Sequence, residues 1–489
     1  MSDQYKTIAK SSSLIAVVQF FQMLFGLIRN KAVALLIGTN GFGIWSLYQT
    51  FLEMMTSFST LGMDQGGVRE ISKVTNDLSL TRKTVFTFQI AILFISVLNA
   101  VLILIFSDNI SMMLFGSAAY SRGISFLALT TVIYSIAKCS YSILNAFHAL
   151  KFIATSQILA AIIGSLGSVV ILYFTRDNFI AVALSIVMFV LAVVNTIYVI
   201  KLRIGVEIPS YLEFKTILKK LAYIGFGFTV AGLISTIMTL LSREYLNSCY
   251  HLDSVGIYQA SFTVSNIYVG VILSAMGVDF MPRIAKVSDD NHKMNDMINR
   301  QIEFGIVVAS IGVSLVLLFA PYILKLLYSS EFSAGTSIIR WQILGVIMRI
   351  IAFPFSYAIV AKGKSIQYAL TQILFWVLDY LLLRLFSSIY GFDALGVNYC
   401  VAYSVYLLIT YIACKKNHSF TFTTTTKYSI FISMFFMISI WVLTFSIHST
   451  LVYILGSIIW LIQLFWVLYY VRNYMDIDLS AILRSLIRR

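Results

Sequence analysis

Residues 41–77 read GFGIWSLYQTFLEMMTSFSTLGMDQGGVREISKVTND, and a degenerate copy, SVGIYQASFTVSNIYVGVILSAMGVDFMPRIAKVSDD, follows 213 positions later at residues 254–290. The two stretches align without a gap. Eight positions are identical, namely Gly43, Ile44, Thr50, Met63, Ile71, Lys73, Val74 and Asp77. Self-similarity at a fixed spacing predicts two related bundles that face a shared centre.

The composition places the chain in a lipid bilayer. Of its 489 residues, 59% are hydrophobic and only 11% are charged, and the mean hydropathy is +0.88. A soluble globule of this length does not carry so much apolar surface. The spans must be helical, because backbone amides find no water in hydrocarbon and the apolar runs lack the alternation of a β-barrel.

Breaks in hydropathy predict about fourteen membrane spans, each long enough to cross a bilayer. The predicted spans are 8–29, 40–64, 84–107, 120–147, 152–174, 179–200, 221–243, 254–280, 301–325, 336–361, 366–388, 393–414, 428–448 and 450–471. The first copy begins in the second span and the second copy in the eighth, six spans later, so the two copies share one orientation. The repeats are therefore predicted to be parallel.

Charge placement predicts the topology and the domain organisation. Most of the 35 Lys and Arg residues fall in loops that share one side when both termini are cytoplasmic. We predict an all-α integral membrane protein with two pseudo-symmetric six-helix bundles around a central cavity. The predicted domains are 1–200 and 221–414 for the bundles, 201–220 for a cytoplasmic linker, and 415–489 for two peripheral helices with a basic cytoplasmic tail.

Several functions are excluded by features that the sequence lacks. The loops on the outer side are short and carry no set of catalytic carboxylates, and there is no P-loop, nucleophile elbow or His and Cys metal cluster. The four cysteines have neither metal nor redox spacing. The net charge of +14 comes from residues that flank spans, which does not suggest nucleic acid. We therefore predict a protein that is not an enzyme and has no cofactor.

Ionisable side chains inside the spans are the candidate site residues, because charges at membrane depth are costly and usually face a wet interior. One face of the second span carries Gln49 and Glu53, among other polar residues, and one face of the fourth span carries four. For the Ser and Thr members of such faces, helix-to-helix hydrogen bonding is an equal alternative. The four residues of the fourth span are Tyr134, Lys138, Tyr141 and Asn145.

Arginines provide a second signal. Arg29 stands 14 residues before Gly43, and Arg243 stands 13 residues before Gly256, so the two arginines are nearly related by the repeat. Paired guanidinium groups suit a pyrophosphate, whose oxygens they can bind bidentately. Arg349 and Asp379 lie near the middle of their spans, where they either serve the site or form a structural ion pair.

The quoted stretch resembles a known family in several short motifs. These are Gly26-Leu27-Ile28-Arg29-Asn30, Gly38 to Trp45, Leu61-Gly62-Met63 and Arg69 to Lys73, with Val255 to Tyr258 and Met281 to Ile284 in the second copy. They are similar to the signature of Wzx-type O-antigen and polysaccharide flippases of the multidrug, oligosaccharidyl-lipid and polysaccharide exporter superfamily. Lipid II flippases are similar too, but they usually carry an acidic residue where Asn30 stands.

The resemblance implies a transporter that moves an undecaprenyl-pyrophosphate-linked oligosaccharide across the bacterial cytoplasmic membrane by alternating access. Its implied partners are membrane lipids, a polysaccharide polymerase and a chain-length regulator. We expect Arg29, Lys138, Arg243 and Arg349 to form a cationic cavity for the pyrophosphate. Gln49, Tyr134, Tyr141 and Asn145 are expected to contact the glycan. Glu53 or Asp379 is expected to bind a coupling H⁺ or Na⁺.

Two other functions stay open at this point. A cation-coupled exporter of drugs or metabolites belongs to the same superfamily, and drug-efflux assays would separate it from a flippase. A membrane glycosyltransferase or polymerase would need acidic residues in its loops.

Overall fold

The computed structural model describes the backbone of residues 2–446 and 450–474. Side chains are described from residue 18 onward, apart from residue 65 and several positions within 223–231 and 267–282. The predicted basic C-terminal tail, with Arg484, Arg488 and Arg489, lies outside the described residues. The cytoplasmic placement of both termini stays a prediction.

All regular elements of the described residues are helical. The α-helices are α1 (Ser2–Thr60), α2 (Met63–Val74), α3 (Leu78–Ile105), α4 (Ser107–Phe115), α5 (Ser121–Ala146), α6 (Leu150–Thr175), α7 (Ile180–Lys201), α8 (Tyr211–Phe262), α9 (Val269–Lys286), α10 (Asn291–Leu327), α11 (Thr336–Ala361), α12 (Ser365–Tyr390), α13 (Ala394–His418), α14 (Thr424–Ser446) and α15 (Leu451–Tyr474). A π-helical turn, Thr263–Tyr268, joins α8 to α9. The predicted fold class is confirmed.

Two long helices are each broken by one residue, and the two breaks are 213 positions apart. Gly38 interrupts α1 with φ 64° and ψ −166°, and His251 interrupts α8 with φ 66° and ψ 171°. Positive φ is readily adopted by glycine and is uncommon for histidine. The repeat therefore preserves the backbone break even where it does not preserve the residue.

Counting the two halves of α1 and of α8 separately, and taking the second half of α8 together with the π-helical turn and α9 as one segment, gives fourteen long segments in the described part of the chain. Six lie between α1 and α7, six between α8 and α13, and α14 and α15 complete the set. Nine stretches of described residues are long and apolar enough to cross a membrane. Several of these stretches hold two helices, such as Leu150–Lys201, so both counts agree with a multi-pass membrane protein.

Short amphipathic elements were not predicted from hydropathy. The helix α2 follows the second span and carries the 2.6 Å ion pair between Glu70 and Lys73 on an exposed surface. The predicted linker 201–220 is helical from Tyr211, because Ser210 and Glu213 form a capping box at the start of α8. A hydrogen bond from Lys83 lowers the pKa of Glu213 to about 2.

The chain divides into two units, which we describe separately. The first unit is Met1–Thr263, Lys325–Ala334 and Ala369–Leu385, and the second is Val264–Leu324, Gly335–Tyr368 and Phe386–Arg489. The sequence-based boundaries of the two bundles stay a prediction, since packing in one conformation does not define repeat boundaries.

Within the first unit, α1 and α8 cross at a pair of glycines related by the repeat. A β-carbon built on Gly43 would lie 2.1 Å from the carbonyl oxygen of Leu252, and one built on Gly256 would lie 2.0 Å from that of Thr39. Thr39 and Gly43 of α1 correspond to Leu252 and Gly256 of α8 at the offset of 213, so the repeat relates one contact to the other. Close approach of two backbones requires small residues at the crossing. The crossing therefore contains a local pseudo-twofold axis.

In the second unit, α14 packs against α15, and α15 is joined to α10 by two side-chain hydrogen bonds. The hydroxyl of Tyr470 donates to Glu303 at 2.6 Å, and Trp460 Nε1 donates to the carbonyl of Ile311 at 3.1 Å. The opposite sides of both helices expose large apolar residues, including Phe431 and Phe465. Such apolar sides suit contact with lipid, and the peripheral position of the two helices stays a prediction.

Candidate functional site

The most buried cation among the predicted site residues is Arg243, on α8 in the first unit. Its side chain is only 5% exposed. The Nη2 group donates to Oε1 of Gln259, and the same oxygen accepts from the hydroxyl of Ser46 at 3.2 Å. The Nε–H of Arg243 has no hydrogen-bond partner among the described residues. A fully buried guanidinium with an unused donor is costly unless a ligand completes its bonding.

Arg29 occupies a related position in the first copy of the repeat. Its guanidinium lies 5.5 Å from the ring centre of buried Trp45 and 3.5 Å from Asn30 Oδ1. In the second copy, Arg243 interacts electrostatically with Tyr258, which stands 213 positions after Trp45. Each repeat thus places one arginine near one aromatic residue, and for Arg29 and Trp45 the interaction is a cation–π contact. Arg29 is half-buried, so the pseudo-symmetry holds in placement but not in burial.

Glu53 supplies a negative charge to the same region. Its side chain is exposed and accepts a hydrogen bond from Gln49 Nε2 at 3.0 Å. Glu53 acts electrostatically on both Arg243 and Tyr134. The region that sequence analysis predicted as cationic therefore contains an internal counter-charge.

The predicted residues of α5 lie on one stripe of that helix. Lys138 Nζ lies 5.3 Å from the ring centre of Tyr134, and both side chains are partly buried. Tyr141 and Asn145 continue the stripe one and two turns further on and are also partly buried. Since Tyr134 feels the charge of Glu53, the α5 stripe and the second span share one environment.

Asp379 lies on α12 in a segment that belongs to the first unit. It is 6% exposed, and its charge acts on Tyr258, the residue next to Gln259. The structure therefore brings Asp379 to the surroundings of Arg243.

Arg349 belongs to the second unit and has its own surroundings. Its Nη1 group donates to the backbone oxygen of Asn266 at 3.1 Å and also to Asn266 Oδ1. The ring centre of Tyr403 lies 5.8 Å from the guanidinium. Asn266 stands 213 positions after Glu53, so the repeat places a neutral acceptor in the second copy where the first carries an acid. The alternative of a structural ion pair between Arg349 and Asp379 stays open.

Arg340 in the second unit is a structural residue. Its guanidinium donates to the carbonyls of Leu317 at 3.3 Å and Thr444 at 3.2 Å. The ring of Phe445 lies beneath it, with its centre 5.8 Å away. These contacts join α14 to α10 and α11, and none of them involves a predicted site residue.

Sequence analysis did not select Gln259. Its position 213 residues after Ser46 was the available signal, because Ser46 stands one turn before Gln49 on the polar face of the second span. A metal site is not indicated, since the described residues contain no group of three His, Cys, Asp or Glu that could hold an ion.

An apolar cavity of about 880 Å³ lies in the second unit, between α11, α13 and α14. Its walls include Met348, Leu407, Met434 and Ile438, and Lys427 is at its boundary. None of the predicted site residues lines it.

The sequence profile of a family described as polysaccharide biosynthesis protein matches residues 32–336. The chain belongs to this family. The Lipid III flippase of Escherichia coli (strain K12) is 23% identical to this chain over 410 residues, which cover 82% of this chain and 96% of that protein. A putative O-antigen transporter of Shigella flexneri is 23% identical over 338 residues, covering 67% of this chain and 79% of that protein.

Solved structures show the same fold. The lipid II flippase MurJ in an inward closed conformation has a TM-score of 0.71 at 16% identity, covering 94% of this chain and 98% of that chain. An inward-facing multidrug resistance transporter of the MOP superfamily has a TM-score of 0.67 at 14% identity, covering 83% and 98%. The predicted resemblance to Wzx-type flippases of this superfamily is confirmed, as is the prediction of a transporter rather than an enzyme.

Proposed function

We propose that this polysaccharide biosynthesis protein is a flippase for a polyprenyl-pyrophosphate-linked oligosaccharide in the bacterial inner membrane. The observation that carries the proposal is Arg243, a buried guanidinium inside a membrane bundle with an Nε–H that no described residue accepts. A phosphate oxygen is the strongest partner for such a donor. The relatives named as lipid-linked or O-antigen transporters support the same class of cargo.

The proposed roles follow from chemistry and burial. Arg29, Lys138 and Arg243 lower the electrostatic cost of carrying a dianion through a region of low dielectric. Within the second unit, Arg349 offers a partly buried cation for the same purpose. Gln49, Tyr134, Tyr141 and Asn145 offer neutral hydrogen bonds and ring faces, which suit hydroxyl-rich sugars. The apolar cavity bounded by Lys427 offers a place for part of the polyprenyl chain.

The function is tested in a strain that lacks its own flippase for surface polysaccharide. Expression of this chain is expected to restore the polysaccharide and remove the lipid-linked glycan that accumulates inside. Resistance to cationic drugs without either effect would instead support the drug exporter of the same superfamily. We also expect a polysaccharide polymerase and a chain-length regulator to act on the delivered glycan, which co-purification would test.

Glu53 is proposed to bind the coupling cation, because its exposed carboxylate acts electrostatically on Arg243 and loses that charge compensation when an anionic cargo binds. Asp379, buried near Tyr258, is the second candidate. Glu53→Gln is expected to reduce transport at least tenfold, the effect of about 1.4 kcal/mol, and to remove its dependence on a pH or sodium gradient. Transport into vesicles with and without each gradient measures this.

Glu303→Gln is the matched control, since it neutralises a carboxylate of the second unit that accepts from Tyr470 at 2.6 Å and has no proposed role in the site. It should retain the gradient dependence. If Glu53→Gln kept a normal response to both gradients, Glu53 would not be the coupling residue.

A further inference from the structure

Gln259 lies at the centre of a hydrogen-bond chain with a defined direction. Its Oε1 accepts from Arg243 Nη2 and from Ser46 Oγ. Its Nε2 donates to Thr263 Oγ1 at 3.4 Å, and that hydroxyl donates to the backbone oxygen of Gln259 at 2.7 Å. All four residues are buried, so water does not replace these bonds.

The direction of the chain follows from the donors. A guanidinium can only donate, so the amide must present its oxygen to Arg243. The Thr263 hydroxyl donates its proton to a backbone carbonyl, so it can only accept a hydrogen bond from Nε2 of Gln259. The partners of Oε1 and of Nε2 therefore require the same amide orientation, and the Gln259 side chain cannot be flipped.

This arrangement orients Arg243 without neutralising it. An acidic residue in place of Gln259 would hold the guanidinium equally well but would form an ion pair and cancel its charge. The neutral amide leaves the full positive charge available, and the Nε–H has no partner among the residues that the structure describes. The negative charge of Glu53 also acts on Arg243, but the side chain of Glu53 is exposed.

We propose that Gln259 is a positioning residue that holds Arg243 through a neutral hydrogen bond, so that its charge and its Nε–H face the pyrophosphate of the cargo. This inference rests on the proposed function. Ser46, the counterpart of Gln259 in the first copy, supports the amide from the crossing helix, which links the geometry of the anion site to the repeat.

The test uses the purified full-length protein in detergent with two probes of equal chain length, geranylgeranyl pyrophosphate and geranylgeraniol. The measured quantity is the preference for the pyrophosphate over the alcohol. Gln259→Leu is expected to lower this preference about tenfold, the scale of one charge-assisted hydrogen bond. Gln259→Glu should nearly abolish it, and acidification that protonates the new carboxylate should restore part of it.

Gln342→Leu is the matched control. Gln342 is a buried glutamine of the second unit that accepts from Ser265 at 2.7 Å and donates to the carbonyl of Leu395 at 3.3 Å. Its loss is expected to lower thermal stability and to leave the preference unchanged. If Gln259→Leu does not fold, Ser46→Ala and Thr263→Val each remove one support of Gln259, and each should lower the preference about threefold.

The outcomes separate the two proposals. A wild-type protein that prefers the pyrophosphate, with Gln259→Leu or both supporting variants retaining that preference, would overturn the role of Gln259 alone. An equal loss in Gln342→Leu would also overturn it, since the effect would then be structural. A wild-type protein without any preference would overturn both this inference and the proposed anion site.

Discussion

Gly43→Ala and Gly256→Ala are each expected to lower thermal stability and to abolish flippase activity. A β-carbon at either position would lie about 2 Å from a backbone carbonyl oxygen of the crossing helix, which no side-chain rotation relieves. The helices α1 and α8 must separate, and overpacking of this kind costs about 1–3 kcal/mol. Thermal unfolding of the purified variants and restoration of surface polysaccharide in the deletion strain measure the two effects.

The helices α1 and α8 each contain a second glycine whose substitution is a control for the glycine at the crossing. A β-carbon on Gly26 of α1 or on Gly232 of α8 would meet nothing within 4 Å. Alanine is favoured over glycine inside a helix by about 1 kcal/mol, so these two substitutions should leave stability unchanged or raise it. Normal stability and activity of Gly43→Ala would contradict the close crossing.

The double variant Gly43→Ala with Gly256→Ala adds a sharper measurement. The first substitution already separates the helices, so the second meets a widened gap. The combined loss of stability should therefore be smaller than the sum of the single losses, as for residues that share one contact. An additive result would mean that the two glycines do not belong to the same crossing.

The repeat could be predicted from the sequence because it depends on a constant spacing between similar residues. The offset of 213 pairs Gly43 with Gly256, and the structure shows that it also pairs the backbone breaks at Gly38 and His251. The second pair could not be found from residue identity, since histidine replaces glycine. The backbone conformation is repeated at these two positions but the residue type is not, and sequence alignment detects only residue types.

The candidate site was only partly readable, for a different reason. Arg243 was predicted because it is nearly related to Arg29 by the repeat, and paired guanidinium groups suit a pyrophosphate. Gln259 was missed because a neutral amide in a span has no unusual feature until its partners are known, and those partners come from both repeats. Glu53 was predicted for ion coupling, but its electrostatic action on Arg243 depends on how α1 and α8 cross.

Short amphipathic helices were also missed. A hydropathy window detects long apolar runs, whereas α2 and α4 contain 12 and 9 residues. The capping box at Ser210 and Glu213 was a visible signal for the start of α8, yet the charged residues around it were interpreted as a linker. Local capping residues therefore define that helix start better than composition does.

Arg243→Gln is expected to reduce transport about a hundredfold while the protein stays folded. Removing the guanidinium deletes a charge-assisted bond to the cargo, worth about 1.5–3 kcal/mol, from a site where water cannot replace it. Arg243→Lys keeps the charge but loses the planar fork and should restore only part of the rate. The rate of lipid-linked glycan transfer in reconstituted vesicles is the direct measurement.

Arg340→Gln is the matched control for a structural arginine, because Arg340 donates to two backbone carbonyls. Arg340→Gln should lower thermal stability more than Arg243→Gln does, and it should lower the transport rate much less.

A double variant with Glu53→Gln separates the charge balance of the site from cargo binding. Arg243→Gln leaves the carboxylate of Glu53 without its compensating cation, so adding Glu53→Gln should recover stability. It should not recover transport, because the donor to the pyrophosphate is still missing. If the double variant recovered both stability and transport, the role of Arg243 would be to balance the charge of Glu53 and not to bind cargo.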